Sequence, residues 1–403
     1  MKVVGWARLL PALLLVLVPF LDGCGNFWQA PGGGSGGGGG TTPSTLNSGV
    51  FYVLNQTSKQ IVAYQINSGT LSTVGTYSLN AAPYSIAIGP GNAFLYVSTV
   101  TGIFLYTIDS SSGALTVGNS GGAISSDLAT AMAVDTSGQW LIDAENSQSG
   151  GIIVNAISIT ANGTLNSTTE ESQGFNVANS SVEQMALSGD DANIFIAAGE
   201  GGTLVIPFTA TNANPFGKTA STIATVTTGA SALSVAVDPG TTPRLFYIGE
   251  TEASSSSGGI RAFNYSSLGS SKLTEVAGSP YSSGGLAPHA ILPTSDGSYL
   301  YVASWQGATS DGVLQGFNIA TSTSGSTTTY TLSSINNVAT GIEPSGLAED
   351  SDSNFVLAVS SGGSYDLQAY IFDTTTAGKL DDSINSITGT DPTGAVAVAA
   401  QAP

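Results

Sequence analysis

From Gly49 to the end of the chain, apolar and polar positions follow a short repeating rhythm. An apolar stretch is followed by an Asp, Gly or Pro turn and then by an aromatic-rich stretch. The unit reads YSIAIGPGNAFLYVST from Tyr84, TAMAVDTSGQWLIDAE from Thr130 and EQMALSGDDANIFIAAG from Glu183. It returns as LSVAVDPGTTPRLFYIGE from Leu233, HAILPTSDGSYLYVASW from His289 and SGLAEDSDSNFVLAVSS from Ser345. Four to eight residues rich in Val, Ile, Tyr and Phe between turn formers predict strands, and no 3.6-residue period interrupts them. A third strand follows each pair, as in IFLYTI, GIRAFNY and GVLQGFNI. Several units then carry a Gly-x-Leu turn: Gly69-Thr70-Leu71, Gly113-Ala114-Leu115, Gly163-Thr164-Leu165 and Gly378-Lys379-Leu380.

The second strands centre on Tyr52, Tyr96, Ile142, Ile196, Tyr247, Tyr301 and Leu357, which are 44 to 56 residues apart. Four-stranded units of that length are the signature of β-propeller blades. The first unit begins at VFYVLN without an inner strand of its own, and the chain finishes with DPTGAVAVAA, an inner strand without a blade. Pairing the two removes the open edges of a linear array. The expectation is therefore all-β: a seven-bladed β-propeller of four-stranded blades over 49–403, its ring closed by the C-terminal strand joining the first blade.

Composition fits this picture. Charged residues make up only 9% of the chain, against 52 glycines and 41% hydrophobic residues, which suits short strands and turns rather than solvated helices. Eight basic residues face 27 acidic ones, for a net charge of −19. Such a surface repels phosphate backbones and anionic headgroups, so nucleic acid is excluded as a partner. The reading of the acidity is solubility. No dense Asp/Glu loop suggests calcium, one His and one Cys make no zinc set, and neither a metal nor another cofactor is expected.

The N-terminus reads as an address. Lys2 and Arg8 precede an apolar run from Leu9 to Phe20, too short to span a bilayer and typical of an export signal. It ends in Leu21-Asp22-Gly23-Cys24, which resembles a bacterial lipobox, although Asp22 departs from the small uncharged residue usual there. Cys24 is the only cysteine, and lipidation would consume an otherwise odd free thiol. The resemblance implies a leader over 1–23, a membrane anchor on Cys24 and, because Gly25 is not the Asp of inner-membrane retention, an outer-membrane lipoprotein facing the periplasm or the cell surface. Residues 24–48 include PGGGSGGGGGTTPST, a flexible tether rather than a phosphate loop, because no Lys-Ser/Thr follows in a strand–helix context.

The Tyr-Val strands after Pro/Asp-Gly turns (DGSYLYVAS, GNAFLYVST), with the later Gly-x-Leu turn, resemble the bacterial lactonase-type propellers. That family includes 6-phosphogluconolactonases and surface proteins with Tyr-Val repeats. The resemblance covers nearly all of 49–400; it speaks to fold more than to activity.

Aligned inner strands place Thr393, Tyr84, Thr130, Glu183, Leu233, His289 and Ser345 around one mouth of the ring. His289 is the only histidine. Glu250 ends the strand FYIGE and Arg261 opens GIRAF, both on that same face, as is Trp305. An imidazole base, a carboxylate to orient it and a cation for oxyanion charge would suit lactone opening by water, which names His289, Glu250 and Arg261 as candidate catalytic residues. Trp305, Glu183 and Tyr84 are the candidate ligand contacts, the indole offering a face to a sugar-like ring.

The lactonase resemblance implies an Arg-His pair before the inner strand and a Glu after the Tyr-Val strand. Here Pro288 precedes His289 and Ser304-Trp305 follow Tyr301-Val302-Ala303, so the set is split over two units. Each residue also has a packing role open to it: His289 in a slot that holds Tyr, Thr or Ser elsewhere, Glu250 and Arg261 as a charge pair, Trp305 at a strand end. The first expectation is accordingly a monomeric binding or scaffold module of the cell envelope, presenting its loop face to a glycan, a sugar lactone or an envelope protein. The alternative is an extracytoplasmic lactone hydrolase with His289 as general base.

Overall fold

The computed structural model describes residues 47–402, apart from 217–218, 255–256, 270–272, 326 and 387–389. The leader, Cys24 and nearly all of the tether lie outside the described residues. The chain forms six sheets of antiparallel strands; the four-stranded ones run from the centre outward in chain order, except that the first takes its inner strand from the end of the chain. The second sheet contains Pro83–Ile88, Phe94–Thr99, Gly102–Ile108 and Leu115–Val117. The third contains Ala131–Val134, Trp140–Asn146, Ile152–Ile159 and Leu165–Phe175. The fourth spans Gln184–Leu187 to Ser221–Ile223, and the fifth Ala232–Val237, Leu245–Ser254, Ser257–Asn264 and Tyr281–Ser282.

The first sheet shows how the ring closes. Ala395–Ala400 lies antiparallel to Phe51–Asn55, with Phe51 opposite Ala400 and Val53 opposite Val398. The side chain of Asn92 then clasps the backbone of Ala402 with two hydrogen bonds, of 2.8 and 3.0 Å. Successive inner strands touch one another around the centre, and Ala395–Ala400 meets Pro83–Ile88 to complete the circuit. The fold is an all-β propeller of four-stranded blades.

The expectation of seven separate blades is corrected. Five sheets are four-stranded blades, and the chain from Ala287 to Asn385 forms a single seven-stranded sheet. The cause is the strand Thr327–Glu349, 23 residues without a break. Its first part pairs with Asp311–Ser324 and its last part with Phe355–Gly362, and Ile342 is opposite Asp311 on one side and Gly362 on the other. The stretch TTTYTLSSINNVAT is rich in β-branched residues and favours a strand, and pairing carries on through Gly341, Glu343 (φ 56°) and Pro344, where one unit was expected to end.

The core lies between neighbouring sheets. Tyr52, Leu54, Ile86, Ile88 and Val97 fill one such space; Tyr247, Leu300, Val302 and Phe317 fill another. The two sequence motifs of the repeat meet there. The hydroxyl of Tyr52 donates to the carbonyl of Gly113 at 2.8 Å, Tyr96 to Gly163 at 2.9 Å and Tyr301 to Gly378 at 2.6 Å. Each tyrosine of one unit thus anchors the Gly-x-Leu turn of the next. These glycines have φ of 69°, 82° and 73°, and a Cβ at Gly163 would run into the Phe94 ring. Replacing Tyr96 by phenylalanine is expected to cost about 1–2 kcal/mol, since the Gly163 carbonyl would stay buried without its donor. Urea denaturation of Tyr96→Phe checks this, and an unchanged midpoint would refute it.

Candidate functional site

The inner strands share a local irregularity that decides where the candidate residues sit. Opposite Phe94–Thr99, Pro83 pairs with Thr99 and Ser85 with Ser98, which leaves Tyr84 as an extra residue. The same β-bulge leaves Leu233 extra between Ala232 and Ser234, His289 between Pro288 and Ala290, and Ser345 between Pro344 and Gly346. A bulge re-aims the extra side chain and bends its strand. On the closing strand the extra residue is Val396, whereas Thr393 lies outside the strand and is exposed. Thr130 and Glu183 immediately precede their inner strands and donate to the carbonyls of Ala144 and Ala197.

His289 is only 5% exposed. Its ring stacks on Trp305 with centroids 4.0 Å apart and planes 20° from parallel. Burial pushes the imidazole pKa down to about 4, so the ring is neutral near pH 7. Trp305 is itself tied down, its indole N–H donating to the carbonyl of Pro344 at 3.0 Å. The preceding strand is also fixed, because Ser234 donates from its hydroxyl to the Pro288 carbonyl at 2.7 Å. Two consequences can be measured. The His289 ring resonances are expected to stay flat between pH 5.5 and 8 and to move only near pH 4. Because the unfolded chain takes up that proton near pH 6.5, stability from this residue is present above that value and is lost as the pH falls toward 4. A midpoint near 6.5 in the folded protein would refute the burial argument.

Glu250 and Arg261 are brought together. They occupy diagonal positions on one face of the fifth sheet, where Ile248 is opposite Arg261 and Glu250 opposite Gly259. The guanidinium donates to Glu250 at 3.0 Å, to Glu275 at 3.1 Å and to the Ala224 carbonyl at 2.8 Å, and lies 4.9 Å from the centre of the Phe263 ring. Glu250 also accepts the backbone N–H of Val226 at 2.8 Å. Burial raises the Glu250 pKa, while Val226 and Arg261 pull it the other way. The group staples the segment 224–226 to the fifth sheet. Among the described residues no hydrogen bond or ion pair joins His289 to either residue.

Glu183 is half-buried and accepts a hydrogen bond from the hydroxyl of Ser181. Tyr84 is half-buried as well. The edge of the sheets on which these residues lie carries Val100, Leu128, Val226, Leu286 and Tyr365, five of the six exposed large apolar side chains among the described residues. The opposite ends of the inner strands line a small cavity of about 70 Å³, walled mainly by apolar groups such as Leu187, Val235, Val237, Ile291 and Leu347.

No family model and no curated protein matches this chain. Solved structures do. A candidate 6-phosphogluconolactonase from Bacteroides fragilis superposes with a TM-score of 0.64 at 17% identity, covering 90% of this chain and 99% of its own. One from Bacteroides uniformis gives 0.66 at 18%, over 88% and 99%. The periplasmic gluconolactonase of Pseudomonas aeruginosa gives 0.60 at 16%, over 86% and 98%. The likeness is one of fold.

One unusual residue was not among those singled out from the sequence. Asp143, in Trp140–Asn146, is fully buried. Its register position is held by Val97 in the second sheet, Ile248 in the fifth and Val302 in the last. Asn155 donates to Oδ1 at 3.0 Å, and Oδ2 has no hydrogen-bond partner. Burial raises the pKa of this carboxyl well above the usual range, and Asp127 adds to the effect. The signal was present in WLIDAE, an acid in the core column of the aligned repeats.

Proposed function

We propose that this chain is a lactonase-like propeller that works as a non-catalytic binding module of the cell envelope, held by a lipid on Cys24 and a glycine-rich tether. The observation that carries this reading is that the candidate catalytic groups are already engaged within the chain, Arg261 with Glu250 and Glu275 and His289 with Trp305, while Val100, Leu128, Val226, Leu286 and Tyr365 stand exposed at the same ends of the sheets. Exposed apolar side chains on one face favour contact with a partner. A base needs reach to its proton and an oxyanion needs a free donor. Arg261 already donates to two carboxylates and a carbonyl, and the His289 ring is stacked on Trp305. Tyr84, Glu183 and Trp305 then belong to the rim of the binding face.

The similar folds of proteins described as lactonases support a second reading, an extracytoplasmic hydrolase of neutral sugar lactones with His289 as general base, assisted by Glu250 and Arg261. Hydrolysis assays of the full chain with gluconolactone and related neutral lactones separate the two. The binding reading expects no turnover above the buffer rate. Turnover that His289→Ala abolishes would replace it with the hydrolase.

A further inference from the structure

Two sheets of this propeller share one acidic frame and fill it differently. In the fifth sheet, Glu250 and Glu275 hold the guanidinium of Arg261, and the backbone N–H of Val226 donates to Glu250 Oε2. In the third sheet, Glu145 has the strand position of Glu250, and the N–H of Leu128 donates to its Oε2 at 3.4 Å. Asn155 lies opposite Asp143 as Arg261 lies opposite Ile248. Glu170 falls in the bulged stretch opposite Ile157, two residues beyond Asn155, just as Glu275 bridges to Phe263, two residues beyond Arg261. The carboxylates of the frame are kept, and the cation is replaced by an amide.

Further acid is added where charge should have been removed. Asp143 takes the place of Ile248, with one carboxyl oxygen buried and unpartnered. Strand alternation puts Asp143 and Glu145 on one face, the face that Met132 and Leu141 turn toward the second sheet. Asp127, on the segment before the inner strand, joins them; its charge, like those of Glu145 and Glu170, bears on Asp143. Exposure falls from Glu170 at the surface, through half-buried Asp127 and Glu145, to Asp143 at the floor. Among the described residues no basic side chain pairs with any of the four. Nor, among the described residues, do three such groups come close enough together to hold a metal ion.

We propose that this acidic site between the second and third sheets binds the guanidinium group of a ligand, with Asp127, Glu145 and Glu170 as its acceptors above the buried, unpartnered Oδ2 of Asp143. Planar guanidinium presents donors in a fixed fork that satisfies several carboxylates at once. Within this chain Arg261 already does so in the equivalent frame. The proposal does not depend on what covers the apolar edge.

Calorimetric titration of the full chain in detergent, with agmatine, with a blocked Gly-Arg-Gly peptide and with calcium chloride, tests it. Agmatine and the peptide are expected to bind. A clearly tighter peptide would make the source an arginine side chain of a protein partner, and equal or better binding by agmatine would make it a small guanidinium compound. Glu145→Gln should weaken binding by roughly tenfold or more, while Glu275→Gln should leave it unchanged. Asn155→Arg supplies the missing group from within, and should abolish binding while raising the thermal midpoint. Absence of heat with both guanidinium probes, binding that survives Glu145→Gln, or binding of calcium alone would overturn the assignment. Glu145 is half-buried at the rim, so its variant keeps the test open if Asn155→Arg fails to fold.

Discussion

Asp143→Val is expected to make this protein more stable, by about 3 kcal/mol at pH 7.5. The substitution restores the residue type that Val97 and Val302 supply at the same register position, and it removes a buried carboxyl with an unpartnered oxygen. The gain should depend on pH with a definite sign. Burial raises the folded-state pKa of Asp143, so the folded protein keeps a proton that the unfolded chain gives up near pH 4. The associated stability is complete below that value and drains away as the pH rises toward the folded pKa. The advantage of valine should therefore be small at pH 4 and grow through neutrality. Unfolding is best followed in urea, because guanidinium is the proposed ligand of the same site. A valine variant less stable than the parent at pH 7.5 would count against the argument. So would an advantage of equal size at both pH values. Asn155 would lose its acceptor in this variant, which sets the size of the gain below that of a clean burial.

Arg261→Ala is expected to act in the opposite direction, with a loss of about 3–5 kcal/mol. Its side chain is 11% exposed and that of its partner Glu250 only 1%. Removing it strands the Glu250 charge in the interior and releases the Ala224 carbonyl, so the segment before the fifth inner strand loses its anchor. Glu275 is a third exposed, and Glu275→Gln should cost no more than about 1 kcal/mol, as at a surface pair. Equal losses for the two variants would mean that the pair is not stabilising through burial. If Arg261→Ala left stability unchanged but removed a hydrolytic activity, the staple reading would give way to a catalytic one.

Much of the architecture was legible because a propeller writes its period into the chain. Turn glycines, Tyr-Val strands, a first unit without an inner strand and a last strand without a blade announced an all-β ring with its closing pair. The blade count failed at one place, Thr327–Glu349, a single strand that pairs on both sides through Gly341 and Pro344 and so joins two units in one sheet. The site was legible only in part. Alignment put Tyr84, Leu233, His289 and Ser345 at equivalent positions, and the structure makes each the extra residue of a bulge. Glu250 and Arg261 were expected on one face, and they lie there. Which carboxylates claim Arg261 was not readable, because Glu275 enters from an outer segment whose register depends on a bulge.

By itself the sequence determined the repeat, the strand types, the closing strand and the residues rich enough in chemistry to matter, since these follow from local pattern. Only the tertiary structure decided which charges are neutralised. It gave Arg261 to Glu250 and Glu275, stacked His289 on Trp305, and left Asp143 with a bare oxygen between two sheets. The physical reason is that electrostatics and solvation depend on distance and burial through space. The groups that set them come from strands and segments far apart in the chain.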